Sequence, residues 1–161
     1  MRAERGRHFR LTLRPGATLF EGLVGPLAEM GVECASTTIL GGGFERILFC
    51  VAPPDPSGKA VANYTQPIDA GRAYMIFGNA TIGKTPRGNP IVHCHAAFRA
   101  EDGRPRGGHV LTDRSVVGPD PVTVLVTSLD GFELRLAVDE ETTIPLLWPR
   151  PVERPTEETS R

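Results

Sequence analysis

Three of the chain's four histidines, His93, His95 and His109, fall in one short stretch, with Cys94 between the first two. Imidazole is a common ligand for transition metals, and a His-x-His pair on a strand sets both rings on one face. Ile91, His93, His95 and Ala97 share that face, whereas Val92, Cys94, Ala96 and Phe98 make a wholly apolar opposite face that reads as the core side. Cys94 therefore points away from the two imidazoles.

Where His109 falls depends on the loop that precedes it. A two-residue Asp102-Gly103 turn would place it opposite Ala96, on the wrong face. A three-residue loop, Glu101-Asp102-Gly103 with the glycine in the left-handed conformation, sets His95 directly opposite His109. A bulge at Gly107-Gly108 could bring about the same pairing from a different turn. Three converging imidazoles form a tripod with an open fourth position. There zinc, or another divalent transition metal, holds a water or a substrate oxygen. Unrelated surface histidines beside a turn are the alternative reading.

His93-Cys94-His95, the Asp102-Gly103 turn and Gly107-Gly108-His109 together resemble the signature of the plants-and-prokaryotes conserved (PPC) domain family. The likeness covers residues 9–148 and extends to the element order: strand, helix, two strands around a glycine cluster, then the signature. It implies a compact α+β domain that assembles as a homotrimer, with the histidine cluster near a subunit boundary. It also implies kinship in fold with the zinc-dependent α-acetolactate decarboxylases, whose metal ligands correspond to His93, His95 and His109. The acidic and arginine residues that those enzymes also use match no position here. Members of the family often carry a DNA-binding label.

Composition narrows the classes further. At 161 residues the chain is one domain's worth, with ordinary hydrophobic (40%) and charged (23%) fractions for a globular protein. A net charge of −1 gives no overall attraction to phosphate, so direct nucleic-acid binding is not supported by charge. Arg5-Gly6-Arg7 and Arg104-Pro105-Arg106-Gly107 are only partial AT-hooks. Cys34, Cys50 and Cys94 lie in apolar settings without metal-ligand spacing and read as buried reduced thiols. With no secretory h-region and no apolar run near the roughly 20 residues that span a bilayer, a cytoplasmic protein without membrane contact is expected.

The elements that must position the histidines are a largely antiparallel sheet and one main amphipathic helix packed on it. Residues 8–13 alternate as a first strand. Thr18 and Glu21 form a capping box ahead of Leu19, Leu23 and Leu27 at helical spacing, with Pro26 a potential kink and Gly31 the left-handed stop. Strands are expected at 32–40 and 44–52 around Gly41-Gly42-Gly43, a short one at 60–67, and a longer one at 72–82. Asn63, Tyr64 and Gln66 are polar groups that could line a pocket. Residues 83–89, with Lys84 and Arg87, read as a connector forming a lip beside the histidines. Residues 121–129 and 132–138 read as a second hairpin about Asp130-Gly131, and 144–148 as an apolar end for a neighbouring subunit. Arg99, on the histidine face by alternation, is the candidate contact for an anionic substrate.

Residues 1–8 are assigned to a flexible basic N-terminus, 9–148 to the domain, and 149–161 to a disordered tail rich in proline and charge. Three functions fit: a metal-binding domain with a ligand-binding or regulatory role, a zinc-dependent lyase-like enzyme acting on a small oxo or hydroxy acid, and a DNA-associated protein.

Overall fold

Alternation of apolar and polar residues, seen at 91–98, recurs through most of the chain and yields one sheet with one helix. The computed structural model describes residues 6–152. In chain order these form β1 (His8–Leu13), α1 (Leu19–Glu29), β2 (Ala35–Ile39), β3 (Gly42–Arg46), β4 (Leu48–Cys50), β5 (Ile68–Asp69) and β6 (Ala73–Lys84). They continue as β7 (Pro90–Ala100), β8 (Pro105–Val110), β9 (Val116–Val117), β10 (Val122–Ser128), β11 (Phe132–Val138) and β12 (Pro145–Pro151). The architecture is the expected α+β one, a single helix with a largely antiparallel sheet.

The main path of the sheet runs β1-β10-β2-β6-β7-β8-β4-β5, with β3 on β6 and β9, and β11 joined to β12 and to β6. Its centre is the long β6–β7 hairpin. Thr85 and Asn89 close its turn by a backbone hydrogen bond, and Gly88 there has a φ of 86° that a side chain would strain. One face of the sheet buries Ile39, Met75, Ala80, Cys94, Phe98, Val110 and Val124 beneath α1. The helix contributes Leu19, Leu23 and Leu27, spaced one turn apart so that all three enter the core.

The capping box forms as expected. The Glu21 amide donates to Thr18 Oγ1 at 3.1 Å, and the Thr18 amide donates to Glu21 Oε2 at 2.9 Å. Pro26 does not end the helix, which runs on to Glu29; Leu27, buried just past the proline, anchors the last turn in the core.

Several expected strands differ. Residues 44–52 split into β3 and β4, and Gly42 and Gly43 belong to β3 rather than to a turn. Residues 60–67 form no strand. Asp55 draws the amides of Ser57, Lys59 and Ala60 into a local turn instead, and the following strand is β5. The segment 121–138 is not a hairpin. Both edges of β10 are already paired, with β1 and β2, so β11 turns away and pairs with β12. Strand β12 extends to Pro151, three residues beyond the boundary read at Trp148. The assigned N-terminal arm and tail lie mostly outside the described residues.

Thr18→Ala should lower the unfolding free energy by about 1 kcal/mol in urea titrations followed by circular dichroism. The hydrogen bonds from Thr18 hold Glu21 below the ordinary carboxylate range. The unfolded chain therefore takes up this proton first, and the contribution of Glu21 is lost as pH falls through the carboxylate range. Accordingly, the deficit of Glu21→Gln should be present at pH 7 and shrink in acid.

Candidate metal centre

Strand β7 alternates strictly, with Val92, Cys94, Ala96, Phe98 and Ala100 buried and the histidine side facing outward. On that outer face, register carries one row of residues across seven strands. Arg10 faces Leu125, Leu125 faces Thr38, Thr38 faces Asn79, and Asn79 faces His95. His95 then faces His109, which faces Cys50. His93 begins the next row, opposite Thr81.

The three-residue loop sets this register. Gly103 has a φ of 76° and donates its amide to the Ala100 carbonyl at 2.9 Å. Arg106 locks the loop from the strand by two hydrogen bonds to Asp102, at 3.1 and 2.7 Å. Pairing from Arg99–Pro105 to Cys94–Val110 is continuous, so no bulge at Gly107-Gly108 is needed. Those glycines serve close packing instead. A Cβ on Gly107 would lie 2.9 Å from the Ala96 carbonyl oxygen, and one on Gly108 would collide with the carbonyl oxygen of Cys50.

The structure thus brings together all three predicted ligands. One ring nitrogen from each of His93, His95 and His109 lies within 4.8 Å of the others, and the ring centroids are 4.7 to 5.5 Å apart. Among the described residues, the Nδ1 atom of His109 is buried without a hydrogen-bond partner. An unsatisfied buried nitrogen costs about 1–3 kcal/mol, and a cation within the tripod is a partner that the donor set suits. Burial is the main reason that His109 is depressed to about 4, followed by the neighbouring His93 and His95. Burial also lowers His93, with a further push from His95. Neutral imidazole is the metal-binding form, so this environment prepares these rings as ligands.

Cys94 is excluded. It points into the core, fully buried, and its thiol is pushed up to about 12 by that burial. Arg99 lies on the histidine face as read, but four residues further along β7, about 13 Å from His95 at strand spacing. It lines a separate cavity with Arg72 and Tyr74. The 85–89 turn is tight, and Lys84 pairs with Glu33 at 2.7 Å and Glu133 at 3.7 Å, so it brings no charge to the imidazoles.

Tyr64 does reach the site, its ring tilted over His109 with centroids 5.3 Å apart. Cys50 was legible only as a buried thiol. It is buried, and register sets it on the outer face beside His109, at the wall of a cavity. A cavity of about 450 Å³ opens here, walled by Cys50, Val51, Ala52, Tyr64, His95 and His109.

Comparison with known proteins agrees with this geometry. The family model of the Plants and Prokaryotes Conserved domain matches residues 2–130. A metal-containing protein from Archaeoglobus fulgidus is 21% identical with a TM-score of 0.71, over 92% of this chain and 99% of that one. A protein from Ralstonia eutropha JMP134 that bears a provisional DNA-binding name is 23% identical, with a TM-score of 0.68 over 86% and 89% of the two chains. A plant- and prokaryote-conserved protein from Pyrococcus horikoshii is 17% identical, with a TM-score of 0.67 over 94% and 100%. At these identities the likeness establishes the fold. The comparison with curated proteins gives no match.

In the metal-free protein, the ordinary His value of 6.5 lies above the folded value of about 4 for His109. Between them the unfolded chain binds the proton more readily, so the contribution of neutral His109 is complete above about 6.5 and is lost as pH falls toward 4. Urea midpoints at stepped pH should fall through this window in wild type, and fall less in His109→Gln.

Proposed function

Because the chain belongs to the Plants and Prokaryotes Conserved domain family, we propose that it acts as a metal-binding member of it, with a ligand-binding or regulatory role. His93, His95 and His109 would hold one transition-metal ion, with zinc our assignment. The observation that carries this reading is that His93, His95 and His109 each offer a ring nitrogen within 4.8 Å of the others, with the His109 Nδ1 buried and unpartnered among the described residues. Such an ion supplies a Lewis-acidic open position for an oxygen ligand. The chain's residues supply neutral nitrogen donors, a rigid strand pair that fixes them, and an adjoining cavity that admits a ligand.

A lyase would need an acid–base group and a cation for the substrate at that opening. Among the described residues no carboxylate, lysine or arginine lines the cavity. The ligand-binding reading therefore stands ahead of the enzymatic one. No helix of the described residues is long and apolar enough to cross a membrane. The three buried free thiols suit the reducing cytoplasm, where we place the protein.

We also propose a homotrimer. Leu40, Tyr74, Ile76, Phe77 and Leu125 are each 44–53% exposed on or beside the outer face of β2, β6 and β10. Phe77 pairs with Ala97, one position from the His95 row, so the histidines border this apolar patch. Exposed apolar surface of this kind is stabilised by contact with another copy.

Elemental analysis of purified protein should find about one zinc per chain. Chelation should lower the melting temperature, and alanine at His93, His95 or His109 should reduce metal retained after dialysis by more than about tenfold. Metal-free protein whose melting ignores chelators would sink the reading. Light scattering should give three times the chain mass of 17.4 kDa, and Ile76→Glu with Phe77→Glu should give monomers that still bind metal.

A further inference from the structure

The cavity beside the imidazoles has a composition that selects its occupant. Its walls are apolar at Val51 and Ala52 and polar only through imidazole, thiol and phenol. Three neutral imidazoles leave the charge of a divalent ion uncompensated, and among the described residues no charged side chain lines the cavity to balance it. An exogenous anion at the open position would supply the compensation. Carboxylate oxygens suit such an ion, and the small apolar walls suit a short alkyl group.

Tyr64 lines the cavity beside His109, where its hydroxyl can engage this anion. It lies outside any strand, yet its backbone is held on both sides. The Thr65 amide donates to the Val51 carbonyl at 2.9 Å, the Val51 amide donates to Thr65 Oγ1 at 3.2 Å, and the Asn63 amide donates to the Pro53 carbonyl at 3.1 Å. These bonds tie 63–65 to 51–53, immediately after Cys50, which faces His109. The phenol is thereby kept over the His109 ring at the cavity wall. A tyrosine hydroxyl can donate a hydrogen bond.

We infer that this cavity is a binding site for a small monocarboxylate, one oxygen of which meets the metal while Tyr64 donates a hydrogen bond to the other. The inference rests on the metal-binding reading above. It adds a ligand class and a specificity residue, Tyr64, which binds the ligand and not the metal.

The test uses full-length protein loaded with Co²⁺, whose visible spectrum reports a change of ligand, and acetate as the probe. Acetate should shift the spectrum of wild type saturably, and methylammonium should not. Tyr64→Phe, which keeps the ring on His109, should hold the same amount of Co²⁺ and bind acetate roughly tenfold more weakly, the loss of one hydrogen bond to a charged group. Acetate affinity in Tyr64→Phe within about twofold of wild type would overturn the role of Tyr64. No acetate response in fully loaded wild type would overturn the site itself. Failure to take up Co²⁺ would instead overturn the metal reading, and this inference with it.

Discussion

The register of the β7–β8 hairpin is the constraint on which the site depends. Side chains on a strand alternate, so a slip of one residue would send His109 into the core and bring Val110 to the surface. Two local features prevent it. Gly103 takes the left-handed conformation that the three-residue loop requires, and Arg106 holds Asp102 through two charge-assisted bonds. The hydrophobic preference of Val110, 1% exposed and opposite the fully buried Cys94, works in the same direction. Turn geometry, ion pairing and core packing thus select a single pairing, in which His95 faces His109.

The two faces of the sheet carry opposite duties. Inward, β7 adds Val92, Cys94, Ala96 and Phe98 to a continuous apolar core, which supplies rigidity. Outward, it holds imidazoles whose protonated forms are disfavoured by burial and by neighbouring rings, an arrangement that favours unfolding as pH falls below the ordinary His value. A small cost concentrated where chemistry is possible, and offset by packing elsewhere, is what a functional site commonly shows. The glycines at 107 and 108 belong to this arrangement, since they let β8 lie against β7 and β4 closely enough for Cys50, His109 and His95 to share a row.

The outer face is also divided along its length. Near Tyr74, Ile76 and Phe77 it is apolar and suits protein contact. Around Asn79, Thr81 and the histidines it is polar, with Asn79 Nδ2 donating to the Thr37 carbonyl at 2.7 Å. Tyr64 packs on His109 from a segment without regular structure. The histidine cluster thus lies between an apolar patch and a small cavity.

Much of this was written in local sequence. Alternation, the capping box from Thr18 to Glu21 and the spacing from His93 to Gly103 are short-range patterns, and each is decided by sterics and hydrogen bonds within a few residues. These patterns determined the helix, the β7–β8 hairpin and the set of three histidines. Competitions between distant segments were settled only when the chain packed. Strand β10 looked ready to pair with β11, but β1 and β2 occupy both of its edges, and no local pattern records which distant strand arrives there. The same holds at the site. Arg99 shares a face with the imidazoles but stands too far along the strand. Cys50 and Tyr64 come beside His109 only because β4 docks on β8, a contact between residues far apart in the chain.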